Sequence, residues 1–209
     1  MNIAVIGMGS VGSTLGRRWA ANGHAVTFGS RKPTDPKSLA EASAMKCRLA
    51  SIREAASAAE VVVLATPWSA VRDALTACGD LTGKVMLDCT NPLTPDVSAL
   101  EIGHSTSGGE EVAKLAPGAR VVKIFNTTGY GNMANADYAG TPVTMLFAGD
   151  DPAAKNTAAA LAKELGFAPI DFGPLAGSRL LEPLALVWIK LAYAGLGFDF
   201  ALNVIRRPS

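Results

Sequence analysis

A glycine loop near the N-terminus is the first feature of the sequence that is suited to bind a ligand. The letters GMGSVG (residues 7–12) follow the apolar run NIAVI (2–6) and precede a helical pattern. In such a loop the first glycine permits a tight turn, the second lets a pyrophosphate approach the backbone, and the third lets helix and strand pack closely. The helix N-terminus adds free N–H groups for the anion. We therefore expect a dinucleotide to contact six residues: Gly7, Met8, Gly9, Ser10, Val11 and Gly12.

A hydroxyl and two adjacent cations follow the second strand pattern, AVTFG (25–29). Sites that bind NAD commonly have an acid at this strand end, which accepts hydrogen bonds from the ribose 2′-hydroxyl. A 2′-phosphate would be repelled by an acid and needs donors and cations instead. Ser30, Arg31 and Lys32 therefore predict a 2′-phosphate site, and with it NADP(H) as the cofactor. The alternative is a solvated surface turn, because Arg and Lys side chains are usually exposed.

Small polar residues and prolines follow three further strand patterns. Ligands of open parallel sheets bind beyond the carboxyl ends of the strands, and proline turns the chain away there. We expect the nicotinamide half of the cofactor to contact seven residues at these ends: Thr66, Pro67, Trp68, Asn91, Pro92, Asn126 and Thr127. Ordinary loop chemistry is the alternative, since Asn, Thr, Gly and Pro are frequent in loops.

Composition restricts the partners and the compartment. The 209 residues, 49% of them hydrophobic, suffice for one substantial α/β domain. A net charge of +1 gives no field that would attract nucleic acid or an anionic membrane surface. Three cysteines without a CxxC pair and two distant histidines predict reduced thiols, no metal site and a cytoplasmic location. The N-terminal apolar run is too short for a signal peptide.

Strand and helix patterns alternate along most of the chain. The runs EVVVLAT (60–66), KVMLDCT (84–90) and RVVKIFN (120–126) are continuous and apolar, which is typical of parallel strands covered on both faces. With helices between them, they predict an α/β fold class with a doubly wound parallel sheet, the Rossmann fold. We expect an NADP-binding domain at 1–142 and a small C-terminal region at 143–209 that completes the site.

The last segment, residues 178–206, is nearly all apolar with helical spacing. Lys190, Asp199 and Asn203 interrupt it, so we do not expect it to span a membrane. A pair of helices buried in the core or in a homodimer interface is expected instead, because such a surface is costly to expose on a monomer. The Gly/Ser-rich segment 103–109 is interpreted either as a lid or as a flexible solvent loop.

Taken together, these motifs resemble the NADPH-dependent oxidoreductases of the deazaflavin coenzyme F420 and the related NADPH-binding domains of STEAP metalloreductases. The likeness runs from the glycine loop through Gly29-Ser30-Arg31 and Thr66-Pro67-Trp68 to GPLAGSRLLE (173–182), which generic Rossmann domains lack. The resemblance implies hydride transfer between NADPH and a small planar redox acceptor, with F420 as co-substrate. A flavin, a quinone or ferric iron is the alternative acceptor. Such transfer needs stacking and proximity more than an acid or base, which agrees with a chain that has no evident catalytic residue.

Two other functions compete with this interpretation. The β-hydroxyacid dehydrogenases and imine reductases share the N-terminal loop, but those dehydrogenases have a Lys followed four residues later by Asn. Here Lys190 is followed at that spacing by Ala194. The other is a non-enzymatic NADPH-sensing module, which would bind the cofactor without oxidising it.

Overall fold

Ten strands and eight α-helices alternate between residues 1 and 207, the part of the chain that the computed structural model describes. The strands are β1 (Asn2–Ile6), β2 (Ala25–Ser30), β3 (Arg48–Ser51), β4 (Val61–Leu64), β5 (Val85–Asp88), β6 (Arg120–Lys123), β7 (Asp137–Tyr138), β8 (Thr141–Pro142), β9 (Thr144–Gly149) and β10 (Ala168–Asp171). The helices are α1 (Ser10–Ala21), α2 (Pro36–Ala44), α3 (Ile52–Ala58), α4 (Val71–Cys78), α5 (Gly108–Leu115), α6 (Tyr130–Ala134), α7 (Pro152–Glu164) and α8 (Ser178–Leu191).

Eight of these strands form one sheet in the order β10-β9-β6-β5-β4-β1-β2-β3. The six strands from β6 to β3 in this order pair in parallel, which confirms the predicted doubly wound α/β fold. Strand β9 pairs antiparallel with β6, and β10 pairs in parallel with β9, so the C-terminal strands extend the same sheet. The predicted boundary after residue 142 lies between β8 and β9, and the division into two regions stays a prediction.

Alternate residues of each central strand enter two separate hydrophobic cores. In β1, Ile3 and Val5 pack with helices α1 and α7 on one face, while Ala4 and Ile6 pack with α3 and α4 on the other. All four residues are at most 1% exposed. Because both faces are covered, the strands have no polar face, which is why the sequence shows continuous apolar runs there.

Short-range signals set the starts of several helices. Asp35 caps α2 by accepting a hydrogen bond from the Ser38 N–H at 2.9 Å, and Asp151 caps α7 through the Ala154 N–H at 2.7 Å. A proline follows each of these acids at the first helical position, where its missing N–H and fixed φ cost nothing. The proline after Asp151 was therefore a reliable start signal.

The predicted pair of C-terminal helices is wrong, because α8 is followed by one irregular helical turn and then by a non-helical tail. Gly195 and Gly197 have φ angles of 115° and 69°, a left-handed region that a continuing helix does not use. After this break the Phe200 ring stacks on Trp188 of α8, with ring centres 5.0 Å apart and planes inclined by 11°. Within residues 1–207 we find no helix with the length and apolar character needed to cross a bilayer.

Hydrogen bonds fix the tail against the start of β9. The Asn203 side-chain carbonyl accepts from the Thr144 N–H at 2.6 Å, and the Val204 N–H donates to the Thr144 hydroxyl at 3.0 Å. The Asn132 side-chain amide donates to the Phe200 carbonyl at 2.8 Å. Because β9 runs antiparallel to β6, its first residue lies at the carboxyl edge of the parallel strands. The tail is therefore held at that edge.

A salt bridge between α5 and α8 predicts a dependence of stability on pH. The Arg179 guanidinium donates two hydrogen bonds to Glu110, at 2.8 and 2.6 Å, and holds the pKa of that carboxyl below its ordinary value of 4.5. A carboxyl with a lowered folded-state pKa adds stability above its unfolded pKa and loses it as pH falls through the folded pKa. We expect Glu110→Gln to be less stable at pH 7, by about 1 kcal/mol or less for this partly exposed pair, with the difference vanishing at low pH.

Urea unfolding of both proteins between pH 7 and pH 3 measures this difference directly. Glu41→Gln is the matched control, since it removes an exposed carboxylate that lies 4.0 Å from Lys37. A stability difference for Glu110→Gln that persists undiminished at pH 3 would contradict an electrostatic origin.

Candidate functional site

The glycine loop between β1 and α1 has the backbone that its sequence spacing predicts. Gly7 has a φ of 113°, and a β-carbon on it would lie 2.4 Å from the Ala65 carbonyl oxygen. A β-carbon on Gly12 would lie 1.9 Å from the Gly7 carbonyl oxygen, so α1 packs too closely for any side chain. A β-carbon on Gly9, by contrast, would meet no described atom within 4 Å. The second glycine therefore leaves space beside the backbone that a ligand can occupy.

The N-terminus of α1 is open toward that space. Gly9 is the N-cap residue of α1. Among residues 1–207, no side chain caps this helix N-terminus, and the first turn has no acid that would compete with an anion. Unpaired N–H groups at a helix N-terminus attract phosphate through their hydrogen bonds and through the helix dipole. The loop residues Ser10 and Val11 belong to this first turn, while Gly12 is buried against the strand.

A first cavity of about 390 Å³ extends from the loop to the end of β2. Of the predicted site residues it is lined by Gly7, Met8, Gly9, Ser30, Arg31, Thr66 and Pro67. Ser38 of α2 and Asp73 of α4 also line it, and no local signal in the sequence marks either of them. Residues that we predict to bind the diphosphate and residues that we predict to bind the 2′-phosphate thus line one cavity.

The cations at the end of β2 are not equivalent. Arg31 lines the first cavity, whereas Lys32 lies outside the lining as far as the structure describes it. The backbone N–H of Lys32 donates to the Ser30 hydroxyl at 3.0 Å. The nearby acid, Asp35, is turned toward α2, where both the N–H and the hydroxyl of Ser38 donate to it. These hydrogen bonds lower the pKa of Asp35. They also hold its carboxylate away from the predicted 2′-phosphate position.

A second cavity of about 380 Å³ lies beyond β4 and β5 and shares Thr66 and Pro67 with the first. Its described lining is Thr66, Pro67, Trp68, Ser69, Cys89, Thr90, Asn91, Leu93, Thr94, Pro95 and Glu101. The Thr66 hydroxyl is buried and has no hydrogen-bond partner among residues 1–207. A buried polar atom without a partner is costly, so this hydroxyl is available to a ligand that bridges the two cavities.

Cys89 is the one thiol that lines the second cavity in the described part of the chain. It is 8% exposed, and burial raises the pKa of this thiol well above its ordinary value, with the Asp88 carboxylate acting in the same direction. A thiol rather than a thiolate is a weak nucleophile. Covalent catalysis through Cys89 is therefore disfavoured.

Three predicted nicotinamide contacts do not line the second cavity in the described structure. Pro92 is buried, and Asn126 forms two hydrogen bonds with Asn91, each of 3.0 Å. Asn126 also donates to the Leu181 carbonyl of α8 at 3.1 Å. Thr127 lines a separate third cavity of about 180 Å³ under the tail. The chain after β6, where the strand stops at Lys123 and Phe125 has a φ of 63°, thus supports the predicted site residue Asn91.

A fully buried group of charges, which the sequence interpretation missed, stands directly beneath the second cavity. Lys123 of β6 lies 2.6 Å from the Asp88 carboxylate and 2.9 Å from the Glu182 carboxylate, and none of the three side chains is more than 1% exposed. Burial by itself lowers the pKa of Lys123, but the two carboxylates outweigh it and raise the pKa, so the ammonium stays charged. The signal was a Lys and an Asp at the ends of otherwise apolar strands.

Glu182 of α8 also closes the N-terminus of α5. Its two carboxylate oxygens accept hydrogen bonds from the Gly108 and Gly109 N–H groups at 2.8 and 2.9 Å. These glycines are buried, and a β-carbon on Gly108 would lie 3.2 Å from the Trp68 ring. The second half of segment 103–109 is therefore a fixed helix start, and the lid or solvent-loop interpretation stays a prediction for residues 103–106.

Comparisons with known proteins agree with this geometry. The family model described as "NADP oxidoreductase coenzyme F420-dependent" matches residues 2–92, which include both phosphate positions. The F420-dependent NADP reductase of Methanothermobacter marburgensis is 31% identical over 209 residues, covering 91% of this chain and 92% of that protein. Metalloreductase STEAP3 of Rattus norvegicus is 29% identical over 211 residues and covers 98% of this chain, which spans 42% of that protein's length.

A solved structure also matches nearly the whole of this chain. It belongs to a proposed F420-dependent NADP reductase from Arthrobacter sp. FB24, with 35% identity and a TM-score of 0.89. The superposition covers 99% of this chain and 100% of that chain.

The open space at Gly9 generates a prediction about binding. Gly9→Ala places a methyl group where the diphosphate must approach the backbone, and it touches no described atom of the protein. We expect the Kd for NADPH to rise at least about tenfold, roughly 1.4 kcal/mol, with little change in the melting temperature. Isothermal titration and thermal unfolding measure the two effects.

Gly131→Ala is the matched control, because its β-carbon would also lie more than 4 Å from every described neighbour, but in α6. NADPH binding by Gly9→Ala that equals binding by Gly131→Ala would mean that the diphosphate does not lie against the loop.

Proposed function

Since this chain belongs to the family of F420-dependent NADP reductases, we propose that it transfers a hydride between NADP(H) and a planar redox acceptor. The general class, an NADP-dependent oxidoreductase, follows from the family. The acceptor that we propose is coenzyme F420, on the strength of the names of the two full-length relatives. The observation that carries the proposal is the meeting of two cavities at Thr66 and Pro67, one lined by groups suited to bind phosphate and the other, apart from Glu101, by neutral groups.

The residues of the first cavity fit the adenosine half of NADP(H). The open N-terminus of α1 provides N–H groups for the diphosphate, and Gly9 leaves room for it. Arg31 and Ser30 provide a cation and a hydroxyl for the 2′-phosphate, whereas a cavity built for NAD would present an acid at this strand end. Asp73 is the acid that lines this cavity in residues 1–207, and it comes from α4 rather than from the end of β2.

The second cavity suits the nicotinamide half and the acceptor. Bound NADPH supplies the hydride, so the protein has to bind, orient and exclude water. Thr66 and Asn91 provide hydroxyl and amide groups for orientation, while Trp68, Leu93 and two prolines provide apolar walls. Glu101 is the one charged residue in the described lining, so no acid–base pair faces this space. Proximity and stacking are the means of catalysis that such a lining supports.

Oxidation of NADPH, followed at 340 nm against a panel of acceptors, tests the proposal. Coenzyme F420, FMN, FAD, quinones and ferric chelates make up the panel. We expect turnover with F420 and slower or no turnover with the others. Turnover with a flavin, a quinone or ferric iron alone would replace the acceptor and keep the cofactor. Tight binding of NADPH without turnover on any acceptor would favour the sensing module over the enzyme.

Arg31 generates a prediction about cofactor choice. Loss of a charge-assisted hydrogen bond to phosphate costs about 1.5–3 kcal/mol, so we expect Arg31→Ala to raise the Kd for NADPH about 10- to 100-fold. Binding of NADH, which lacks the 2′-phosphate, should be nearly unchanged. Lys32→Ala is the matched control with a smaller expected effect, because Lys32 lies outside the described lining of the first cavity. Equal losses for NADPH and NADH in Arg31→Ala would refute the 2′-phosphate site.

We also propose that the chain forms a homodimer through α8 and the tail. Large apolar side chains are exposed on this surface, including Leu180, Val187, Tyr193, Leu196 and Ile205. Contiguous apolar surface of this kind is unusual on a monomer. Light scattering coupled to size exclusion should give twice the chain mass for the purified protein and a lower mass for Val187→Glu. A wild-type protein that remains monomeric at tens of micromolar would exclude this proposal.

A cytoplasmic location is proposed on the state of the cysteines. Cys47, Cys78 and Cys89 are all free and buried in the described structure, and burial raises the pKa of Cys47 and Cys78 to about 11. Free thiols in such environments are typical of proteins in a reducing compartment.

A further inference from the structure

We infer that Lys123 is a positioning residue for the nicotinamide half of the cofactor, acting through the backbone of the Thr90–Asn91 turn. This inference rests on the proposed function and deepens it. Lys123 has no exposed surface and does not line the second cavity in the described structure. Its side chain instead reaches from β6 to the turn that follows β5, directly beneath the residues that line the cavity.

The ammonium of Lys123 contacts three oxygen atoms, two of them in ion pairs and one in a hydrogen bond. Two are the carboxylates of Asp88 and Glu182, at 2.6 and 2.9 Å. The third is the Thr90 carbonyl oxygen, at 2.8 Å. The first two contacts balance charge within the core, but the third is a bond to the site itself, because Thr90 lines the second cavity.

The Asp88 carboxylate also binds Thr90. One oxygen of the Asp88 carboxylate accepts from the Thr90 N–H at 2.9 Å and from the Thr90 hydroxyl at 2.7 Å. The N–H, the hydroxyl and the carbonyl of Thr90 are thus all bound by the buried charges. The next residue, Asn91, also lines the cavity and is tied to Asn126 by two further bonds. Little freedom is left to this turn.

A buried ion group is seldom the most stable filling for a core. Apolar residues of similar volume often stabilise a protein as well as buried ions do, or better. Stability by itself is therefore a weak explanation for these three charged residues. Its geometric effect here is specific, since it fixes one turn and does so without occupying ligand space. If this turn also sampled other conformations, the protein would bind the cofactor more weakly. Its affinity would fall in proportion to the fraction of molecules whose turn is in the binding conformation.

The test compares two ligands in two lysine variants. NADPH fills both cavities, whereas 2′,5′-ADP has the adenosine half alone. We expect Lys123→Met to raise the ratio of the NADPH Kd to the 2′,5′-ADP Kd about two- to tenfold, the range for loss of one net hydrogen bond. Lys84→Met is the matched control, because Lys84 donates to the Ser57 and Ala59 carbonyls at the opposite edge of the sheet. Its ratio should equal that of the wild-type protein.

Fluorescence of bound NADPH gives a second readout that does not depend on turnover. The emission of the reduced nicotinamide reports the surroundings of the ring, and we expect its enhancement on binding to be smaller in Lys123→Met than in Lys84→Met. An unchanged Kd ratio and unchanged emission in folded Lys123→Met would overturn the inference. Failure of the wild-type protein to bind NADPH would overturn the inference together with the proposed function.

Lys123→Met leaves two buried carboxylates without their cation, so a second pair of variants keeps the test open if it does not fold. Thr90→Val removes the hydroxyl that bonds to Asp88 and keeps the shape of the side chain. Thr90→Ser restores that hydroxyl. We expect the Kd ratio to rise in Thr90→Val and to return toward wild type in Thr90→Ser. Equal ratios in the two threonine variants would overturn the inference.

Discussion

A lysine ammonium without solvent contact determines how the carboxyl edge of the sheet is built. Removing a charge from water costs several kcal/mol per ion, and the ion pairs and hydrogen bonds of this group offset that cost. Lys123 contacts two carboxylates and one carbonyl, and Glu182 in turn accepts from two N–H groups of α5. These contacts tie β5, β6, α5 and α8 to one another. The residues that line the second cavity are held in position by these contacts.

Two helix N-termini near the site illustrate the same electrostatics with opposite outcomes. Both α1 and α5 begin with glycine-rich segments and direct N–H groups toward the carboxyl edge of the sheet. At α5 the anion is internal, because the Glu182 carboxylate occupies the position. At α1 the residues that the structure describes provide no anion. Of the two helices, α1 is therefore the one whose N-terminus can bind a phosphate group of a ligand.

The direction of one strand places the C-terminal tail at the same edge. Because β9 pairs antiparallel with β6, it starts where the parallel strands end, and Thr144 presents its N–H and hydroxyl to the tail. A parallel strand at this position would have placed the start of β9 at the opposite edge. The tail therefore lies over the third cavity, whose lining includes Leu202 and Val204, beside the polar ends of the strands.

The sequence determined those features that depend on neighbouring residues. The turn at Gly7, the space at Gly9 and the contact at Gly12 follow from glycine spacing, and continuous apolar runs predicted strands covered on both faces. Ser30 and Arg31 could be placed beside the loop, because consecutive parallel strands bring their ends to one edge. The same reasoning predicted Asn126 and Thr127 in the site, but β6 ends earlier than its apolar run, and neither residue lines the second cavity in the described structure.

Tertiary structure alone decided the partners of the buried charges, and together with two glycines it decided the path of the chain after α8. Asp88, Lys123 and Glu182 lie on three elements up to 94 residues apart, and nothing in the local sequence shows that their side chains meet. The helical pattern of residues 192–206 was overridden by glycines with positive φ and by the stacking of Phe200 on Trp188. Local preferences amount to fractions of a kcal/mol per residue, so burial of aromatic and charged side chains among distant segments outweighs them.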